Sequence, residues 1–286
     1  MADIKLYLDY IGITLSTNDS SSELLTKVVT AHLTKFPYDS TDLLLQGLVN
    51  ASERKPTNIA IGSIFNQFID NKRPGYCFQN NELLAWALEE LGYQVDRCLA
   101  KPLIQMKDKI DDNYFEDLVF SHEALIVESS GVQWLLDTGF ADYSLRKPLK
   151  LKPGKQELAG EHYNLIINEK KIRLETYTSQ GWLCLMDVYR ASKTASEIGI
   201  ANTNFFITSQ KFRIRDDYYK LAKVTPTKRK LLCIYKDSHE GFFKSYSGDG
   251  YKKEKEIKTD NELKVCAEKK FGIKVEDSIS NALFQF

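Results

Sequence analysis

Net charge is the first thing this sequence lacks: Lys plus Arg number 39 and Asp plus Glu number 39, so the formal charge at pH 7 is zero. A chain that binds nucleic acid neutralises phosphates with a basic excess, and none exists overall, so nucleic acid is not expected as a partner. Long apolar runs are missing too. No stretch approaches the roughly 18 consecutive apolar residues of a membrane span, and no membrane partner is expected. Glycine and proline are sparse, at 15 and 7 of 286 residues, against 43% hydrophobic and 12% aromatic residues. That balance excludes a disordered, collagenous or low-complexity chain and leaves enough apolar surface for a sizeable core. The five cysteines, at 77, 98, 184, 233 and 266, are odd in number and scattered, with no Cys-x-x-Cys pair. Neither a disulfide framework nor a metal site is expected from them. The opening Met1-Ala2-Asp3-Ile4-Lys5-Leu6 lacks the charged-then-apolar order of a secretory signal. The expectation is a cytoplasmic chain with free thiols, folded as about two compact units or one multi-lobed one.

What is present falls into three regions. The first ninety-odd residues, 1–92, carry helical periodicity: Ile4, Leu8 and Ile11 on one face, then Leu24, Leu25, Val28, Val29 and Leu33 after the cluster Asp19-Ser20-Ser21-Ser22. Phe36-Pro37 ends that helix, because a residue before proline is pushed out of the α region. Further helices are predicted over Ile61–Phe68 and Cys77–Leu91, the latter stopped by Gly92. Residues 93–187 change to short β-type runs: Gln94–Ala100, Phe120–Val127, Val132–Asp137, Tyr163–Ile167, Lys171–Tyr177 and Trp182–Leu185. Such a series points to a small barrel or a strongly curved sheet. In residues 188–286 the pattern predicts a connecting helix over Val188–Ile198, strands Lys230–Tyr235 and Gly241–Ser247, and a closing helix Asp260–Phe271 before Gly272. Lys236–Gly241 and the charge run Lys252–Lys258 read as solvated loops.

Three residue types in this layout suit nucleophilic chemistry. Cys77 follows the tight segment Arg73-Pro74-Gly75-Tyr76 and opens a helix. There the positive end of the helix dipole is expected to draw the thiol pKa down toward the physiological range. The commonest role of a cysteine is a small buried hydrophobe, so the catalytic reading needs a base nearby. Of the histidines, His32, His162 and His239 sit in structural or exposed settings. His122 differs. A four-residue hairpin loop Glu128-Ser129-Ser130-Gly131 pairs Val127 with Val132 and Leu125 with Trp134, and sets His122 directly opposite Asp137. Opposed Cβ atoms lie about 4.5–5.5 Å apart, close enough for a carboxylate to orient the ring. The same hairpin also fits an ordinary core pair with a satisfied histidine. Thiol, imidazole and carboxylate together make a nucleophile, its base and the group that orients the base.

The segment Arg73-Pro74-Gly75-Tyr76-Cys77-Phe78, followed by Leu91-Gly92-Tyr93, resembles the active-site region of the arylamine N-acetyltransferases, whose pattern reads Arg-Gly-Gly-Tyr/Trp-Cys and then a helix closed by Leu-Gly-Phe. Ser121-His122-Glu123-Ala124-Leu125 and Asp137-Thr138-Gly139-Phe140 resemble the next two motifs, in the same order. Phe36-Pro37 and weaker matches at Thr203–Ser209 and Leu263–Ile273 extend the likeness over the chain. The resemblance implies an α+β fold with a cysteine-proteinase-like catalytic core: an N-terminal helical bundle, a central β-barrel and a C-terminal α/β lid reached through an interdomain helix. It implies ping-pong acetyl transfer from acetyl-CoA, as co-substrate and without a metal, to an arylamine, arylhydrazine or N-hydroxyarylamine, a xenobiotic chemistry. Carried over by position, Cys77 is the nucleophile, His122 base and acid, and Asp137 the orienting carboxylate. Arg73 and Asp39 form a supporting buried charge pair. Tyr38 and Phe140 line the acceptor pocket, and Gly139, Thr208 and Ser209 lie near the coenzyme.

Three departures stand out. Pro74 replaces a glycine and donates no N–H. Asp39 stands for a glutamate, one methylene shorter, and Ala141 for a glycine beside the coenzyme channel. Other functions can use the same three groups: an amide synthase with a carrier-bound acyl donor, a cysteine hydrolase or transglutaminase, or a silent binding protein on the same scaffold.

Overall fold

The computed structural model describes residues 2–106, 116–247 and 251–284. Its helical first part is punctuated by caps. Helix α1 (Ile4–Ile11) starts where the Asp3 carboxylate accepts the N–H groups of Lys5 and Leu6, and stops at Gly12 with φ 76°. Helix α2 (Ser21–Lys35) starts on a Ser20–Glu23 capping box. After α3 (Thr41–Gly47), α4 (Ile61–Phe65) runs into a π turn, Asn66–Asp70, which delivers the chain to α5 (Cys77–Glu90). Tyr7, Leu25, Val28, Val29, Leu84 and Leu88 pack into one core. Each buried aliphatic side chain there contributes about 1.5–3 kcal/mol.

Strands β2 (Gln94–Met106), β3 (His122–Ser129), β4 (Val132–Leu136), β5 (Leu149–Lys150), β6 (Gly154–Leu158), β7 (Glu161–Ile167), β8 (Lys171–Thr178) and β9 (Gly181–Lys193) form one antiparallel sheet. Its order, β5-β4-β3-β2-β9-β8-β7-β6, curls it into a nearly closed barrel. The inside is filled by Ala124, Ile126, Leu165, Leu174, Leu185 and Val188, among others. Helix α6 (Ala195–Ile207) and the short α7 (Arg213–Asp216) lead to the lid, where β10 (Tyr218–Val224), β11 (Arg229–Tyr235), β12 (Gly241–Tyr246) and β13 (Tyr251–Ile257) pair in order. Helices α8 (Asp260–Phe271) and α9 (Asp277–Phe284) cover that sheet. Its first strand comes from far away in the chain: β1 (Tyr38–Asp39) pairs with β10 through Tyr38↔Ala222 and Asp39↔Leu221. The helical part and the lid are thereby stitched together beside Cys77. Among the described residues no helix is long and apolar enough to cross a membrane.

The fold corrects several sequence expectations. Of Val188–Ile198 only the last four residues are helical: β9 continues through Lys193, paired with Arg97 of β2, and α6 begins at Ala195 on a Thr194–Glu197 capping box. Lys252–Lys258 is mostly β13 rather than a loop. It forms one edge of the lid sheet, beside β12. Helices α3 and α9 and strand β10 carried no periodicity strong enough to be anticipated.

Candidate active site

The site begins with the segment ahead of α5. Cys77 is the first residue of that helix, and Tyr76 before it is extended, at φ −98° and ψ −169°. The segment is held through its carbonyls. Gly75 O accepts from Asp39 N at 2.9 Å and from Asn80 Nδ2 at 2.8 Å, and Pro74 O accepts from Gln67 Nε2 at 3.0 Å. Pro74 therefore gives up no bond that this network uses. Gly75 is required: a Cβ there would lie 2.1 Å from Gln79 Oε1 and 2.9 Å from the Phe68 ring. The Tyr76 hydroxyl donates to Asn202 Oδ1 at 2.5 Å, tying the start of α5 to α6.

The second half of the site comes from the β3–β4 hairpin, whose turn is shorter than expected. Ser130 and Gly131, with φ of 54° and 71°, make a two-residue turn, the geometry that matches strand twist. Ser129 pairs with Val132 and Leu125 with Leu136. The register is thus shifted by two residues from the expected one, and His122 is not directly opposite Asp137. A shift of two keeps every side chain on its face, where a shift of one would have reversed them. Just beyond the last β4 pair, His122 Nε2 and Asp137 Oδ2 meet at 2.7 Å. Both residues are buried, with His122 2% and Asp137 0% exposed.

Asp137 is held from three sides. Besides His122, its Oδ1 accepts from Gly139 N at 2.9 Å and from Asn81 Nδ2 at 3.1 Å. Asn81 lies one helical turn after Cys77, and its Oδ1 accepts from Thr138 N at 3.0 Å. It locks the nucleophile helix to the carboxylate. Sequence reasoning missed it, although the polar run Gln79-Asn80-Asn81 at the start of an otherwise apolar helix was a signal. All three of those residues are buried. Gly139 also packs closely on Cys77, since a Cβ on it would meet Cys77 Cα and O at 2.7 Å.

The sulfur of Cys77 points to the residue before His122, donating to Ser121 O at 3.7 Å. With Nε2 engaged by Asp137, Nδ1 is the other ring nitrogen able to exchange a proton. The thiol does not have the depressed pKa expected of a helix N-terminus. Burial pushes it up, and the Asp137 and Glu123 charges add to the rise. The Phe78 and Cys77 backbone groups pull it down, as the helix dipole predicts, and are outweighed.

The remaining candidates separate. Tyr38 belongs to the apolar cluster around Cys77, with Leu99, Ala141, Phe205, Ala222 and Leu231. Phe140 packs on the other side of the pair, its ring centroid 4.7 Å from that of His122. Arg73 and Asp39 do not form the expected pair: Arg73 Nη2 bonds Asp42 Oδ1 at the start of α3. Asp39 instead accepts from Thr41 N and Oγ1, both at 2.8 Å. One methylene fewer than glutamate lets its carboxylate fold back onto the residue two ahead, as a local turn acceptor. Burial pushes the Asp39 carboxyl up to about 6, against those bonds and the weaker pull of Arg73. Thr208 caps the end of α6, its carbonyl bound by Arg54 at 2.9 Å, and Ser209 beside it is exposed. Ala141 has φ 50°, a conformation that favours the glycine it replaces. A cavity of about 370 Å³ lies elsewhere, between barrel and lid, lined by Tyr143, Tyr163, Leu185, Arg229 and Tyr246.

Comparison with known proteins agrees with this architecture. A family profile described as N-acetyltransferase matches residues 22–280. The arylamine N-acetyltransferase of Mycolicibacterium smegmatis is 30% identical over 139 residues, 48% of this chain and 47% of that protein. Arylamine N-acetyltransferase 2 of Rattus norvegicus is 28% identical over 156 residues, 54% of this chain and 49% of that protein. The chain thus spans about half the length of these curated relatives in the matched stretch. Solved structures match throughout. An arylamine N-acetyltransferase from Mycobacterium smegmatis superposes with a TM-score of 0.81 at 21% identity, covering 99% of this chain and 98% of that one. The Mycobacterium marinum arylamine N-acetyltransferase in complex with CoA gives 0.77 at 21% identity, covering 95% and 93%. From the profile that spans nearly all of it, and from relatives and neighbours that agree, this chain belongs to the arylamine N-acetyltransferase family.

Proposed function

We propose that this chain transfers an acetyl group from acetyl-CoA to an aromatic amine, hydrazine or N-hydroxyarylamine, with Cys77, His122 and Asp137 as its catalytic residues. The observation that carries the proposal is the 2.7 Å bond between His122 Nε2 and a carboxylate held by Asn81 and Gly139. It leaves Nδ1 as the free ring nitrogen, while the Cys77 sulfur lies against Ser121, the residue before His122, and such a set of groups serves acyl transfer.

In the first half-reaction the Cys77 sulfur attacks the thioester carbonyl while its proton passes to His122 Nδ1. Burial raises the thiol pKa, so the paired imidazole is needed to take the proton as the sulfur becomes nucleophilic. The developing oxyanion needs donors, and the Cys77 N–H is one, being a first-turn amide without an intrahelical acceptor. CoA leaves as its thiol, taking the proton from His122, and acetyl-Cys77 remains. In the second half the amine nitrogen attacks that thioester, His122 accepts its proton, and the Cys77 sulfur departs and is reprotonated. Tyr38, Leu99 and Phe205 give the nucleophile an apolar surround, which suits a flat aromatic acceptor and slows hydrolysis of the intermediate. The M. marinum relative's CoA complex supports the choice of donor.

Initial rates over a grid of acetyl-CoA and arylamine concentrations test the reading. Parallel double-reciprocal lines are expected for the wild type and no turnover for Cys77→Ala. Intersecting lines, or a variant that still turns over, would reject it.

A further inference from the structure

Strand β3 has two faces. His122, Ala124 and Ile126 alternate with Glu123, Leu125 and Val127, and Leu125 and Val127 join the helical core while Ala124 and Ile126 join the barrel core. Glu123 sits among the second set, 0% exposed, and neither of its carboxyl oxygens has a hydrogen-bond partner among the described residues. It faces Glu82, on the helix that Cys77 opens. Arg97, diagonal to Glu123 across the β2–β3 pair, is committed elsewhere. Its Nε donates to Glu82 at 2.8 Å, and its Nη1 and Nη2 donate to Glu89 at 2.5 and 2.9 Å. Three carboxyl groups thus share one guanidinium whose nitrogens serve two of them. A buried carboxylate with no donor is poorly tolerated, and two facing carboxyl groups do not ionise together.

We propose that Glu123 is a positioning residue: carried as the neutral acid, it presents its proton to the Glu82 carboxylate and so ties the strand of His122 to the helix of Cys77. Burial first, and Glu82 second, push the Glu123 carboxyl well above the carboxylate range, with Arg97 opposing and Asp137 adding to the rise. Cys98 on β2 and Cys77 on α5 feel the same group, and an ionised Glu123 raises both thiols. Loss of the proton at alkaline pH therefore sets Glu123 against Glu82 across the α5–β3 seam and disfavours a charged sulfur at Cys77. The activity arm of this inference rests on the acyl-transfer reading above; the stability arm does not.

The experiment compares the full-length wild type with Glu123→Gln, which keeps a donor but cannot ionise, and Glu123→Ala, which loses the donor. A group whose folded pKa is raised destabilises the fold progressively as pH climbs from its unfolded value. The thermal midpoint of Glu123→Gln is therefore expected to gain several degrees on the wild type between about pH 5 and about pH 8. The rate of Cys77 acylation by acetyl-CoA should persist to higher pH in Glu123→Gln than in the wild type. In Glu123→Ala it should fall roughly tenfold or more at every pH, as expected of a misplaced base. A midpoint difference that stays constant with pH, or Gln and Ala variants with the same acylation profile, would overturn the proposal. Infrared spectra of the wild type need no variant to fold: a protonated-carboxyl band persisting at neutral pH is expected, and its absence contradicts the proposal. If acetyl-CoA leaves Cys77 unmodified, the functional reading fails while the midpoint and infrared results still decide the state of Glu123.

Discussion

Asp137 and Glu123 lie on opposite sides of the β3–β4 hairpin at the same depth, both 0% exposed, and they are held in opposite ways. Asp137, on the barrel side, receives donors from His122, Asn81 and Gly139. Glu123, on the helix side, receives none among the described residues. Asp39 falls between them, with two bonds from Thr41. Depth alone does not decide what a buried carboxyl group is; the donors that reach it do. On one side of the strand the fold has built a seat for negative charge that an imidazolium can share. On the other it has left a place that suits a neutral acid.

Substitutions that change donor count are the way to break this comparison. The largest effect is expected for Asp137→Asn, which preserves shape but presents an amide to His122. Its N–H faces the nitrogen that should itself be the donor and favours the wrong tautomer, so Cys77 acylation should drop about 10³–10⁴-fold with the fold retained. A loss of less than tenfold would mean that the carboxylate does not orient the ring.

Asp39→Asn sharpens the intermediate case. The folded-state pKa of Asp39, about 6, lies above its unfolded value of about 3.9. The stability contributed by the neutral form is full below about pH 4 and is lost as pH rises to about 6, so the wild type should lose up to about 3 kcal/mol across that window. Urea midpoints of the asparagine variant should decline less over that window, keeping only what other groups such as Glu123 contribute; an identical decline in both proteins would assign it wholly to another group.

The smallest change concerns the turn that follows Asp137. Ala141 holds φ 50° next to the nucleophile's apolar cluster. Ala141→Gly should raise stability by about 0.5–1 kcal/mol in denaturant unfolding, and a loss of stability would show that its methyl packing outweighs the strain.

The parts of the molecule legible beforehand were those where a local signal and a tertiary role coincide. Ser20 and Gly272 cap helices where the sequence placed a start and a stop. Cys77, His122 and Asp137 stood in motifs, and His122 and Asp137 meet even though the hairpin register was misjudged, while the Cys77 sulfur reaches Ser121 beside them. That error was harmless because side chains alternate with period two. What could not be read was set by distant partners. Arg73 chooses Asp42 over Asp39 because Asp39 has turned back on Thr41. Tyr38–Asp39 becomes a strand only because β10 supplies its mate. The edge strand β13 looks like a loop because its outward residues are charged, and the pairing with β12 that defines it leaves no mark in composition. The acidity of Cys77 followed the same rule: the helix start argued for a low pKa, and the burial that outweighs it arises only on folding.

The central claim, that the sulfur of Cys77 carries the acyl group, is tested most directly by mass. Wild-type protein exposed briefly to acetyl-CoA without an acceptor amine should gain the mass of one acetyl group. Peptide mapping should place that group on Cys77 and leave the other four cysteines, all buried, unmodified. An acetyl group found on another residue, or turnover by protein whose Cys77 never becomes acylated, would contradict the account.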